Sequence, residues 1–435
     1  MDAGIHDRRR RATIAVTVSA LAAVGILAAD AGPGPTGPPG ISPDTQFTRV
    51  AGMVLTSPAP VKASDGKVHI AYELLLTNVL RVEVDINTVE VRDAASKQGV
   101  FSLTGSELVA HMNPIGEPPG GEQGDPPIAS SATSIVWLDV AVPSMDAVPE
   151  AVDHRVVGTV LVRGQPEPFE AIVTRLSISR QKPLVLGPPV AAGTWLASEG
   201  CCTNITHHRN GLAPVNGVLS VPQRFAIDFF LLDDQHRTWI GDRTNIHSYL
   251  SFGQPAIAAS DGTVVVASDG RDDQPPRPHE PPPLDIADTV GNHVIIKVKQ
   301  GEIDDGDQPG RITRYLLYGH LKKGSIAVEV GQRVHRGDQV GLIGNSGFTS
   351  TPHLHFQVLT TPTFYPTDST PYVFDQFDLV GFETKRIWDD NIAGQPNGTI
   401  PFAPASEPFE RQLVMPLDRD IVTFSSLPVH PTPVP

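Results

Sequence analysis

Short runs in which apolar and polar residues alternate fill residues 47–181. "KVHIAYELLLTNV" (67–79), "VEVDINTVEVRD" (82–93), "TSIVWLDVAV" (133–142), "VVGTVLVRG" (156–164) and "EAIVTRLSI" (170–178) keep the period of two that puts successive side chains on opposite strand faces. "SDG", "NPIGEPPGGEQGDPP" and "VPSMDAVPEAV" separate them as turns. Several short strands at this spacing predict an Ig-like β-sandwich over 47–181. Its histidines, His69, His111 and His154, stand alone and read as core or surface residues.

A second strand-rich block covers 182–387. "QPAIAASDGTVVVAS" reads as strand, turn, strand. "GNHVIIKVKQG" and "TRYLLYGHL" read as a hairpin pair across an acidic loop, and "VEVGQRVHRGDQVGLIGNSG" repeats the pattern with glycine at its corners. "DDQPPRPHEPPPLD" is a proline-rich loop long enough to rim a cleft. The segment 388–435 is a proline-rich tail in which "RDIVTFSSL" can add one strand.

Composition agrees with a mainly β chain. Gly (39) and Pro (42) are abundant among 435 residues, while Val, Ile and Thr recur in short runs. The first 31 residues are set apart. "DRRRR" precedes the uncharged stretch Ala12–Ala29, and small residues follow it. This is a signal peptide, or an N-terminal anchor through residues 12–29, and either places the remainder outside the cytoplasm. Residues 32–46 form a Pro/Gly linker.

Four Arg and three Asp in 1–31 sum to +1, so the formal charge of −15 leaves −16 on the rest. That balance, without a basic patch, argues against nucleic acid as a partner and against electrostatic adhesion to anionic polymers. The two cysteines, Cys201 and Cys202, are adjacent and allow no disulfide framework; two partly buried thiols are expected.

In "TPHLHFQV" (351–358), strand geometry puts His353 and His355 on one face and Leu354 and Phe356 on the other. Three elements precede it in order: "RFAIDFF" (224–230), "GQPAIAASDGTVV" (253–265) and "YGHL" (318–321), and "GLIGNSGFTST" leads into the histidine pair. This order resembles the lysostaphin/LytM-type zinc endopeptidases, which cut peptide cross-links in peptidoglycan, over about half the chain. The resemblance implies an antiparallel-β peptidase domain at 182–387, bound Zn²⁺, and a peptidoglycan or other peptide substrate. It also implies His355 and Asp228 as metal ligands, with His353 and His320 as catalytic residues.

One position departs from the family pattern. Four residues before Asp228, where the family has a histidine ligand, stands Arg224, which is cationic and offers no lone pair. Zinc sites of this kind use three protein ligands, so one is missing. Three readings stay open. In the first, the upstream "GCCTNITHHRNG" supplies it, through His208 before His207. In the second, zinc is lost and Arg224 pairs with Asp228. The domain is then a binding or regulatory module with an envelope protein partner. In the third, Cys201 or Cys202 is the ligand. His247 and His293 belong to no motif.

Overall fold

The strand from Val68 to Asn78 is buried along almost its whole length, on both faces. Its even-numbered residues Ile70, Tyr72, Leu74 and Leu76 pack into a sandwich core with Val84, Ile86, Val89 and Val91 of a second sheet. Its odd-numbered residues Ala71 and Leu75 join apolar clusters with residues far downstream, among them Trp195 and Val221. That double burial makes this strand the seam of the molecule. The structure is a computed structural model that describes residues 45–117, 127–276, 289–302, 311–386, 398–406 and 410–425. From Thr48 onward the chain forms one compact unit.

The fold is mainly β, with antiparallel sheets. One sandwich sheet runs Val50–Val54, Val68–Asn78, Thr133–Val142, Met112–Pro114, with Val61–Lys62 beside the second of these. The other runs Gly99–Thr104, Val84–Asp93, Ala151–Val162, Gln165–Ser177. Most of the alternating runs become strands that bury one apolar row, while Val68–Asn78 buries both. Of the isolated histidines, His154 is buried between the Tyr72 hydroxyl (2.9 Å) and the Thr174 carbonyl (3.0 Å), and His69 lies between Asp139 and Asp65.

Downstream lies a 12-stranded sheet. Its middle strands, in spatial order, are Tyr372–Glu383, Asp420–Phe424, Gly193–Ser198, Ile227–Leu232, Leu354–Leu359, Arg311–Leu321 and Asn292–Glu302. Phe229, Tyr318, Phe356, Phe374 and Phe424 fill the core on one face. One pairing is parallel, Leu184–Leu186 with Tyr372–Phe374. Asp420–Phe424, from the proline-rich C-terminal region, sits inside the sheet with an antiparallel neighbour on each side.

Cys201 and Cys202 differ from the two thiols expected: with Cα atoms 3.0 Å apart they are joined as a disulfide, and both are buried. Neither sulfur is a thiolate, so the reading in which a cysteine supplies the missing ligand lapses. The signal or anchor segment, the linker up to residue 44 and residues 277–288 of the proline-rich loop lie outside the described residues. No helix among the described residues is long and apolar enough to cross a membrane.

Candidate metal centre

Strand register brings the two motif carboxylate and imidazole carriers together. Asp228 pairs directly with His355, and Gly319 pairs with His355 from the other side. Because Ile227, Phe229, Leu354 and Phe356 point into the core, Asp228 and His355 both point to the opposite face. His355 Nδ1 lies 3.0 Å from Asp228 Oδ1. His353, two residues earlier, brings its Nε2 to 3.4 Å from Asp228 Oδ2. His320 reaches the same place from the neighbouring strand. Its ring centroid is 4.8 Å from that of His353 and 5.7 Å from that of His355. Its backbone is left-handed (φ 58°), a conformation that needs support in a residue other than glycine.

The fifth member comes from "THHRN". Thr206 caps the short helix His207–Asn210 by accepting the Arg209 amide. The turn buries His208 and leaves His207 exposed. His208 Nε2 points at Asp228 Oδ2, 3.5 Å away, and its ring lies 4.8 Å from that of His355. His207 Nδ1 instead meets the Glu199 carboxylate at 2.9 Å. Of the two histidines weighed for the missing ligand, His208 therefore faces the cluster with its ring buried there.

Arg224 does not pair with Asp228. Its Nε and Nη2 donate to Glu73 of the sandwich (2.9 and 2.7 Å), and its Nη1 donates to Asp368 (2.6 Å). The guanidinium that disturbs the sequence motif is thus turned away from the cluster and neutralised elsewhere.

Each imidazole is oriented by a hydrogen bond on its far nitrogen. His208 Nδ1–H donates to the Glu199 carbonyl (3.0 Å), His353 Nδ1–H to the Thr351 carbonyl (2.7 Å) and His320 Nδ1–H to the Ser346 carbonyl (2.8 Å). His355 is reversed: Nε2–H donates to Gln357 Oε1 (2.9 Å), and Gln357 is held by the Pro222 carbonyl. In the neutral rings the other nitrogen is then a lone-pair donor aimed inward. Gly291 serves this arrangement. It has φ 62°, and a Cβ there would stand 2.2 Å from the Ser346 oxygen that holds His320.

The electrostatics match. Burial pushes the His208 imidazole down to about 3, so it stays neutral. Burial, reinforced by His353 and His355, holds His320 well below the ordinary histidine range. Burial opposes the charge on Asp228, but the facing imidazoles, His353 first, outweigh it and keep the carboxyl well below the usual carboxylate range.

These residues fit zinc. His208 Nε2 is fully buried and makes no hydrogen bond among the described residues, a costly state for a polar atom unless something binds it. Donor atoms on a tetrahedral zinc with bonds of about 2.0–2.2 Å lie about 3.3–3.6 Å from one another. Asp228 Oδ2 stands 3.5 Å from His208 Nε2, within that range, and Asp228 Oδ1 stands 3.0 Å from His355 Nδ1, closer than it; the ligand atoms of His207, His208 and Asp228 lie within 4.8 Å of one another. Two imidazoles and one carboxylate are a common zinc donor set, each here backed by a second hydrogen bond or charge.

A buried histidine–carboxylate cluster on one face of an antiparallel sheet is the kind of centre metal-dependent hydrolases use. Residues 245–365 match the model of peptidase family M23. The matched stretch contains His320, His353 and His355 and begins downstream of Asp228. The peptidoglycan DD-endopeptidase ShyA of Vibrio cholerae is 32% identical over 112 residues, 25% of this chain and 18% of that protein. Endolysin 2638A of a Staphylococcus phage is 47% identical over 45 residues, 10% of this chain and 9% of that protein. The alignments thus span less than a fifth of either relative. The catalytic domain of lysostaphin from Staphylococcus simulans is similar at 20% identity, covering 36% of this chain and 80% of that one, with a TM-score of 0.20.

Sequence reasoning missed three residues. Gln357 follows His355 by two positions and so shares its face, a signal the strand period contains. Glu199 lies close to the histidine pair in sequence, but only the fold shows that its carboxylate holds His207 and its carbonyl holds His208. Glu73 is an acid within the apolar run "AYELLL", and its partners lie 136 and 151 residues away.

Proposed function

We propose that this chain is an exported zinc metalloendopeptidase that hydrolyses peptide bonds, with peptidoglycan cross-links as its substrate. The observation that carries this reading is the buried, unpartnered His208 Nε2 facing Asp228, with Arg224 turned onto Glu73. In this reading Asp228, His355 and His208 hold the zinc. Bound there, the ion would polarise a substrate carbonyl and draw the pKa of a water toward neutrality.

The chain's own residues supply the rest. The carbonyls of Thr351 and Ser346 fix the tautomers of His353 and His320, so each presents Nε2 as a proton acceptor. Either ring can take the proton that an attacking water loses and return it to the leaving amine. Once protonated, the same ring can stabilise the negative charge that develops on the scissile carbonyl oxygen. Asp228, held ionised, places its carboxylate 3.4 Å from His353 Nε2.

Similarity to a peptidoglycan endopeptidase and a phage endolysin supports a cell-wall peptide as substrate. The signal or anchor segment supports export. The degenerate-module alternative is not favoured: Arg224, which could have answered the charge of Asp228 in a site without zinc, is engaged by Glu73 and Asp368.

The test is zinc analysis of the full chain purified without chelator, combined with digestion of purified peptidoglycan. One zinc per chain and new amino termini in the digest are expected. A metal-free protein that takes up no added zinc, with an uncut wall, refutes the proposal.

A further inference from the structure

Two buried arginines border the candidate centre in sequence. Arg209 directly follows His208, and Arg224 precedes Asp228 by four residues. Both guanidiniums leave the cluster and converge on one carboxylate, that of Glu73, which belongs to the sandwich and is 0% exposed. Arg209 Nη1 donates to Glu73, while Nη2 donates to the Tyr72 and Leu138 carbonyls (2.9 and 3.1 Å), and the guanidinium lies over the Trp137 ring at 5.2 Å. Arg224 grips Glu73 through Nε and Nη2 and Asp368 through Nη1. Asp368 is itself tied to the sandwich by the Thr56 hydroxyl (2.6 Å). Two cations and two anions balance in this network.

We propose that Glu73 is a positioning residue for the metal centre: by gathering Arg209 and Arg224 onto the sandwich it sets His208 Nε2 3.5 Å from Asp228 Oδ2, a spacing two donors on one zinc can keep. This rests on the zinc reading above. His208 sits in a turn of only four residues, too short to hold its own shape. Two tethers fix that turn. On one side Glu199 accepts the His207 amide (2.7 Å) and the His208 Nδ1–H. On the other Arg209 is bolted to Glu73. Without the Glu73 charge, two buried guanidiniums repel one another and lose the anion they share, so the turn and the "RFAID" strand entry both lose their anchor. The sandwich then contributes to the centre through these two arginines.

The experiment measures zinc affinity of the full chain by competition with a chromophoric chelator, and the d–d absorption of the cobalt-substituted protein. Glu73→Gln is expected to weaken zinc binding about 10–100-fold, the usual effect of removing a supporting partner, and to change the cobalt spectrum. The charge-balanced double variant Glu73→Gln/Arg209→Met keeps one buried cation with one anion, so it is the form to use where the single variant does not fold. It is expected to show the same weakening. Glu73→Asp, which keeps the charge, is expected to recover part of it. Ile86→Ala, in the sandwich core far along the second sheet, controls for destabilisation and is expected to leave zinc affinity unchanged. Wild-type zinc affinity in the folded double variant, or an equal loss in Ile86→Ala, overturns the proposal while the zinc reading stands. A wild-type chain that binds no zinc overturns the zinc reading first, and this inference with it.

Discussion

Two buried polar clusters lie side by side in this molecule and divide neighbouring residues between them. His208 belongs to one and Arg209 to the other; Asp228 to one and Arg224 to the other. In the Glu73 cluster the charges are answered within the protein: both carboxylate oxygens of Glu73 accept from Arg224, and Asp368 completes the balance. In the histidine cluster the far nitrogens are bonded, the near nitrogens of His355 and His353 face Asp228, and His208 Nε2 makes no hydrogen bond among the described residues. The Glu73 cluster, balanced in charge although Arg209 Nε makes no hydrogen bond among the described residues, is built to hold shape. A cluster that leaves a buried imidazole nitrogen unanswered beside a carboxylate is suited to receive something.

The sharpest way to break this comparison is to exchange the two upstream histidines. His208→Ala is expected to abolish tight zinc binding with the fold retained, read by metal analysis and far-UV circular dichroism. His207→Ala is expected to keep the metal, because its side chain is exposed and directed to Glu199. The opposite pattern would assign the ligand to His207.

Glu73→Gln addresses the other cluster. Leaving two buried guanidiniums against one partly exposed carboxylate is expected to cost about 3–5 kcal/mol of unfolding free energy, measured by urea titration. A loss below about 1 kcal/mol would make the network no stronger than a surface pair.

His353→Ala separates binding from turnover. Zinc content is expected to stay near that of the wild type, while hydrolysis of purified peptidoglycan falls about 10²–10⁴-fold, the usual contribution of a general acid–base.

Acid treatment of the metal-free protein distinguishes the clusters again. His208, pushed down to about 3, stays neutral in the fold, whereas an unfolded histidine takes up a proton near pH 6.5. The unfolded state therefore binds more protons as pH falls below about 6.5, and stability drops with it. From pH 6.5 to 5 this amounts to about 2 kcal/mol for His208, and His320, held well below the ordinary histidine range by burial, acts in the same direction. Glu73 moves the other way round: burial opposes its charge, but Arg209 and Arg224 outweigh it and depress its pKa. Its contribution is complete above the usual glutamate range and is lost only at lower pH. His208→Ala should flatten the upper part of the stability profile and leave the lower part, as thermal melts across pH would show. An unchanged slope between pH 6.5 and 5 would mean that His208 is not the neutral residue described.

The smallest effect is expected at Gln357. Replacing it with Leu frees His355 Nε2 and should weaken zinc about 10-fold without altering the fold.

Much of this was legible in the chain. Period-two alternation marked the long sandwich strands, because most of them bury one apolar row. "TPHLHFQV" placed His353 and His355 on one face for the same reason. His208 was readable as a candidate from the chemistry Arg224 cannot perform. Long-range partners were not readable. Glu73 looked like an interruption of an apolar strand until the fold brought two arginines to it, since pairing across 136 and 151 residues is set by topology and not by local pattern. Likewise "RDIVTF" showed strand propensity, but nothing local says that it lies inside the sheet between Gly193–Ser198 and Tyr372–Glu383. The buried turn that separates His208 from His207 depends on the Thr206 cap and on Glu199, both of which act only once the sheet is assembled.

The central claim is that His208 takes the place of the ligand that Arg224 cannot be. Anomalous diffraction at the zinc edge, on crystals of the chain grown with zinc, tests it most directly. One strong peak is expected about 2.0–2.2 Å from His208 Nε2, His355 Nδ1 and an Asp228 oxygen, with Arg224 still on Glu73. A peak bound without His208, or no peak with Arg224 swung onto Asp228, would contradict it.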